Sequence, residues 1–167
     1  EAMGGKTGIQ AIYEIIVNDA FVELPTEKGS VEVKSGATQL TTNEVLKLVP
    51  DHDNLKSFKI VIDPANAMGI PDFEDLFSYL NCEVTKMNFD LDGNFPAHEA
   101  DPLKPENTAD LQAKVIETKA DFGIGLDGDA DRIFIIDELG RRIPSPILYT
   151  ILAHIEHEQN PGESLAY

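Results

Sequence analysis

The chain has 167 residues, a formal net charge of −17, 42% apolar and 7% aromatic residues. That length suits one domain or one domain with pieces of its neighbours, and that apolar share supports a packed core rather than disorder. So acidic a surface speaks against nucleic acid or an anionic membrane as a partner.

The single cysteine, Cys82, excludes an intrachain disulfide and makes a reducing, cytoplasmic location the expectation, with the thiol read as buried and structural. No apolar run reaches 18 residues, so no membrane span is expected. The start at Glu1-Ala2-Met3 and the end at Leu165-Ala166-Tyr167 read as the ends of a fragment.

In chain order, residues 7–18 have the spacing of a short amphipathic helix carrying Ile9, Ile12, Ile15 and Ile16. Residues 22–40, with Pro25, Gly29 and Gly36, read as a connector. A helix is expected over 42–49, ended by Pro50. Strands and helices then alternate. Residues 58–62 predict a strand stopped by Asp63-Pro64, and 71–80 a helix with Phe73, Leu76, Phe77 and Leu80 on one stripe. Residues 82–87 alternate as a half-buried strand, and 88–104 form a long loop. A helix over 106–119 turns Leu111, Val115 and Ile116 inward. Residues 122–126 and 133–136 are short buried strands, 141–143 a brief extended return and 146–158 a last helix.

This rhythm predicts a three-layer α/β/α sandwich with a mixed, mostly parallel sheet of about four strands. Only six residues join the last two strands. That is too few for a parallel crossover, so the last strand should be antiparallel.

Those six residues are Asp127-Gly128-Asp129-Ala130-Asp131-Arg132. Two carboxylates about 5 Å apart repel by roughly 3 kcal/mol at an effective dielectric of 20. Three of them held between buried strands need a cation, protonation or full solvation; a hard divalent cation is the simplest answer, because oxygen ligands suit Mg²⁺. Gly128 and Ala130 are small enough for the backbone to curl and turn Asp127, Asp129 and Asp131 inward. A solvated acidic turn is the plain alternative. An EF-hand loop would need glycine where Arg132 stands, and helices where these flanks read as strands. A phosphatase with Asp127 as nucleophile is a further alternative, although three aspartates followed by arginine do not fit its two-aspartate pattern. Arg141 and Arg142 read as flanks of a turn. Asp63 reads as a structural residue orienting its turn, and His98 as structural or exposed, with no ligand partner at local spacing.

The acidic loop resembles the metal-binding loop of the α-D-phosphohexomutases, the phosphomannomutase/phosphoglucomutase family. The resemblance extends to Val61-Ile62-Asp63-Pro64-Ala65-Asn66, to Asp92-Gly93-Asn94-Phe95-Pro96, to Pro102-Leu103-Lys104-Pro105-Glu106-Asn107 and to Ala120-Asp121-Phe122-Gly123-Ile124. It implies an enzyme that interconverts hexose 1-phosphate and hexose 6-phosphate through a phosphoserine and a bisphosphorylated sugar. It further implies Mg²⁺ on Asp127, Asp129 and Asp131, and Arg132 directed at a phosphate of the phosphosugar or the phosphoserine. The alternative for Arg132 is a salt bridge to a neighbouring aspartate.

The family's Thr-Ala-Ser-His-Asn-Pro nucleophile loop and its sugar-recognition loop do not occur in these residues. The resemblance therefore divides the chain into 1–40, the end of a preceding domain and its connector; 41–144, the metal-binding second domain; and 145–167, the start of the next. The remaining domains of a parent chain are the expected partners. A stand-alone cation-binding domain is the rival reading.

Overall fold

The computed structural model describes residues 4–164, apart from Leu24, Pro50 and the side chain of Asp53. The expected stop at Pro50 and the terminal residues 1–3 and 165–167 lie outside the described residues. The chain divides into two compact units at Ser35/Gly36.

The first unit holds an irregular turn, Gly5–Ile9, and helix α1, Gln10–Val17, where the isoleucine spacing places a helix. None of its described residues is buried.

The second unit opens with helix α2, Ala37–Lys47, entered from Gly36 in the left-handed region at φ +83°. The helix thus begins five residues ahead of the expected start. Its apolar signal is weak there: Leu40 is 68% exposed, and only Thr42 and Leu46 are buried.

Then come β1 (Lys59–Asp63), α3 (Gly69–Tyr79), β2 (Glu83–Lys86), a short turn at Pro105–Thr108 running into α4 (Ala109–Thr118), β3 (Phe122–Leu126), β4 (Ile133–Asp137) and α5 (Ser145–Gln159). The strand order is β2-β1-β3-β4. The β1 pairings with β2 and β3 are parallel, and β3 pairs antiparallel with β4. The architecture is the three-layer α/β one with a mixed four-stranded sheet, as the alternation predicts. The extended return pairs Arg142 with Ile136.

Strand alternation sorts the core into two layers. Ile60 and Ile62 of β1 join Ile124 and Leu126 of β3 on the face that also takes Phe73 and Phe77 of α3. Val61 points the other way and packs with Leu111 and Val115 of α4 and with Ile136. Gly123 lies on that second face: a β-carbon there would stand 2.6 Å from Val115 Cγ2 and 3.1 Å from Leu111 Cδ1. The glycine lets α4 sit close on the sheet.

Two expectations need correction. Ile116 is 57% exposed rather than inward, because adjacent helix residues point about 100° apart and Val115 takes the sheet-facing position. Cys82 is half-buried rather than buried. It precedes β2 and only edges the α3-side core.

Candidate metal centre

Helices α3 and α4 cover opposite faces, and β2 and β3 flank β1 on either side. The carboxyl ends of β1 and β3 therefore form the point where the chain's direction of winding reverses, the usual place for a site in such sheets. Both connections leaving this edge are short and tied together. The Met68 N–H donates to the Gly128 carbonyl at 3.2 Å. Gly69 opens α3 directly against the acidic loop: a β-carbon there would come 2.5 Å from Leu126 Cδ1 and 3.3 Å from Ala130 Cβ.

The acidic loop leaves β3 at Asp127, which is 1% exposed. Ala130 takes a left-handed conformation at φ +60°, which folds the segment back on itself. One carboxylate oxygen from each of Asp127, Asp129 and Asp131 comes within 4.8 Å of the others. Asp129 and Asp131 are exposed. The sequence-predicted trio is thus brought together. Its donors are all hard oxygens, one side is open to solvent, and the cluster fits a hard divalent cation.

Arg132 sits against this cluster. Its backbone N–H donates to Asp127 Oδ1 at 3.1 Å and its Nε–H to Asp127 Oδ2 at 2.6 Å. The guanidinium also lies 3.6 Å from Asp131 and 3.7 Å from Asp101. Burial raises the Asp127 carboxyl's pKa, but the Arg132 N–H and guanidinium outweigh it and hold it below the usual 3.8. The charges of Asp129 and Asp127 push the Asp131 carboxyl above that value, the cost of the like-charged cluster.

Arg141 and Arg142 stay away from the acidic loop. Arg141 Nε donates to Asp137 Oδ2 at 2.7 Å, closing the turn after β4. Arg142 donates to the carbonyls of Pro102 and Leu103 at 2.8 and 3.3 Å and covers the Phe134 ring, clamping the end of the long loop.

Sequence reasoning missed one cluster beside the centre. Asp63, 3% exposed at the end of β1, accepts from Ala65 N–H (2.9 Å), from Asn88 Nδ2 (3.0 Å to each oxygen) and from His98 Nε2 (3.0 Å). The Ala65 bond is the turn-orienting role expected of Asp63. Its partner in the 88–104 loop carried no local signal, because it lies 35 residues away.

The family model for phosphoglucomutase/phosphomannomutase, alpha/beta/alpha domain II, matches residues 37–140. A phosphomannomutase/phosphoglucomutase of Pseudomonas putida is 37% identical over 121 residues, covering 72% of this chain and 26% of that protein. A phosphoglucomutase of Neisseria meningitidis serogroup B is 33% identical over 170 residues, covering 99% of this chain and 36% of that protein. A crystal structure of a phosphoglucomutase/phosphomannomutase family protein from Burkholderia thailandensis superposes with a TM-score of 0.74 at 33% identity, covering 95% of this chain and 33% of that one. The chain belongs to the phosphoglucomutase/phosphomannomutase family and contains its α/β/α second domain. It spans between 26% and 36% of the length of these relatives.

Proposed function

We propose that this chain is the metal-binding part of a phosphohexomutase, an isomerase that interconverts hexose 1-phosphate and hexose 6-phosphate through a phosphoserine and a bisphosphorylated sugar. The observation that carries the reading is the convergence of Asp127, Asp129 and Asp131 at the carboxyl edge of the sheet. Family membership supports the reaction, and the geometry of the acidic loop supports the metal assignment.

Asp127, Asp129 and Asp131 hold Mg²⁺ in this reading. When bound, the ion supplies charge neutralisation and orientation at a transferring phosphoryl group. The chain's own residues do the positioning. Arg132 fixes Asp127 through its backbone N–H and Nε, so the buried carboxylate presents one orientation to the cation. The terminal nitrogens of the Arg132 guanidinium are less engaged; Nη1 is 3.7 Å from Asp101. They face the task of binding phosphate, whether of the phosphosugar or the phosphoserine. One guanidinium thereby serves both readings made from sequence.

The nucleophilic serine and the sugar-recognition loop belong to other parts of the parent enzyme, so these 167 residues alone are inactive. Residues 1–35 are in this reading the end of the preceding domain and its connector, the boundary moving from the expected 40/41 because helix α2 begins at Ala37, and 145–167 are the start of the following one. The location is cytoplasmic and nucleic acid is no partner, in keeping with the −17 charge. Among the described residues no helix is long and apolar enough to cross a membrane. The reading of Asp127 as a phosphatase nucleophile is disfavoured by its burial and by the Arg132 donors on both its oxygens.

Thermal unfolding in a Mg²⁺ titration tests the site. Mg²⁺ should raise the Tm of the wild type in a concentration-dependent way. Asp129→Asn, an exposed change that leaves the fold intact, should shrink that rise. A wild-type Tm indifferent to millimolar Mg²⁺ would sink the metal assignment.

A further inference from the structure

The 88–104 loop is fastened at both ends by several hydrogen bonds. Near its start, Asn66 N–H donates to Asn88 O, Asp92 N–H to Asn66 O, and Asn66 Nδ2 to Asp90 O, all within 2.8–2.9 Å. Near its end, Asn107 Nδ2 holds Asp101 O and Arg142 holds Pro102 O and Leu103 O. Between these ends the bonds of Asn94, Phe95 and Glu99 stay within the loop. Over 93–100, the described hydrogen bond that ties the segment to the sheet is His98 Nε2 to Asp63 Oδ2, at 3.0 Å.

The protonation state of His98 follows from its partners. Nε2 faces a carboxylate oxygen, and Nδ1 lies 2.9 Å from the Glu99 carbonyl oxygen. Both partners are acceptors only. A neutral imidazole has one N–H and would leave two lone pairs opposed; the imidazolium has two and satisfies both. The ring is largely sheltered, with 21% of the His98 side chain and 2% of the Asp63 side chain exposed.

We infer that His98 is a positioning residue: as an imidazolium paired with Asp63, it fastens the middle of the 88–104 loop to the end of β1, and it loosens that loop when it loses its proton. What the fastener positions is the segment just beyond it. Ala100 lies against Gly128, with its Cβ 3.8 Å from where a β-carbon on that glycine would stand, and Asp101 faces the Arg132 guanidinium. The charges around the ring are Asp63 from β1 and, farther off, Asp110 from α4. The Glu99 side chain is turned to Lys104. Burial lowers the imidazole's pKa, but the Glu99 carbonyl, the Asp63 carboxylate and the Asp110 charge outweigh it and hold it above the usual 6.5. A raised pKa means that the stabilisation is complete below 6.5 and is lost as pH rises through the folded-state value. The inference does not depend on whether the acidic loop holds a cation.

The experiment uses the full chain, free of metal. Proton NMR of the histidine C2–H resonances follows His98, assigned by its absence in His98→Gln, and thermal unfolding compares the two proteins from pH 6 to pH 9. His98 should titrate above 6.5, and its pKa should fall in Asp63→Asn. The wild type should be more stable than His98→Gln by about 3 °C at pH 6, with most of that margin gone by pH 9. A His98 pKa at or below 6.5 in the wild type would overturn the inference. So would a margin over His98→Gln that is the same at both pH values. Should one variant fail to fold, the wild-type titration and the other variant still decide.

Discussion

At the scale of single residues, the acidic loop and the cluster beside it were legible to very different degrees. Asp127, Asp129 and Asp131 are two residues apart, so spacing alone announces their meeting, and the left-handed Ala130 completes it. His98 and Asp63 meet only because a long loop returns to the end of β1, and nothing in local spacing announces that. Arg132 was legible as a charge beside the aspartates, but its grip on both oxygens of Asp127 depends on the loop's curl. That grip has a measurable consequence. Burial by itself penalises the Asp127 carboxylate, and the Arg132 donors more than offset this, leaving its pKa below 3.8. A depressed pKa contributes stability above the unfolded value and loses it as pH falls through the folded one. Arg132→Gln removes the guanidinium and keeps the backbone donor. Without metal, that variant should have a lower Tm than the wild type at pH 7, and the gap should narrow on acidification toward pH 3. An equal gap at both pH values would show that Arg132 acts through packing and not through the Asp127 charge.

At the scale of elements, the sheet was the most legible part, because burial on both faces writes apolar runs that little else produces. Phe122-Gly123-Ile124-Gly125-Leu126 forms β3 over the expected residues, and the six-residue loop after it forces the antiparallel β4. Helix α2 was misplaced because its first turn buries nothing, so periodicity had no face to report. The glycines of β3 carried a message that spacing could not reveal. They face α4, and the helix takes up the room a side chain would need. Gly123→Ala therefore tests the closeness of α4 to the sheet. Its methyl would stand 2.6 Å from Val115 Cγ2 and 3.3 Å from Ile136 Cβ, and both neighbours are fully buried with nowhere to retreat. Overpacking of this kind costs about 1–3 kcal/mol, so chemical denaturation should show a lowered midpoint with an unchanged slope. A neutral substitution would mean that α4 shifts outward with ease.

At the scale of the whole molecule, the apolar surface is unevenly distributed. The buried apolar side chains run from Leu46 to Ile136. The flanking helices carry apolar stripes that these described residues leave exposed: Ile12, Ile15 and Ile16 on α1, and Ile147, Ile151, Leu152 and Ile155 on α5, each at least 42% exposed. Apolar stripes of this kind on a helix are candidates for burial against another surface. The consequence for stability is direct. Residues 4–23 and 25–35 bury no side chain of their own, and the core beneath the acidic loop contains none of them. A chain beginning at Gly36 should therefore fold, keep the β-sheet and helical circular dichroism of the second unit, and unfold within about 2 °C of the full chain, the range expected of surface changes. Under the proposed metal assignment, its rise in Tm with Mg²⁺ should match that of the full chain, because Asp127, Asp129, Asp131 and Arg132 all remain. A loss of more than about 5 °C would mean that the first 35 residues help hold the sheet together, and the second unit would then no longer count as an independently folding body.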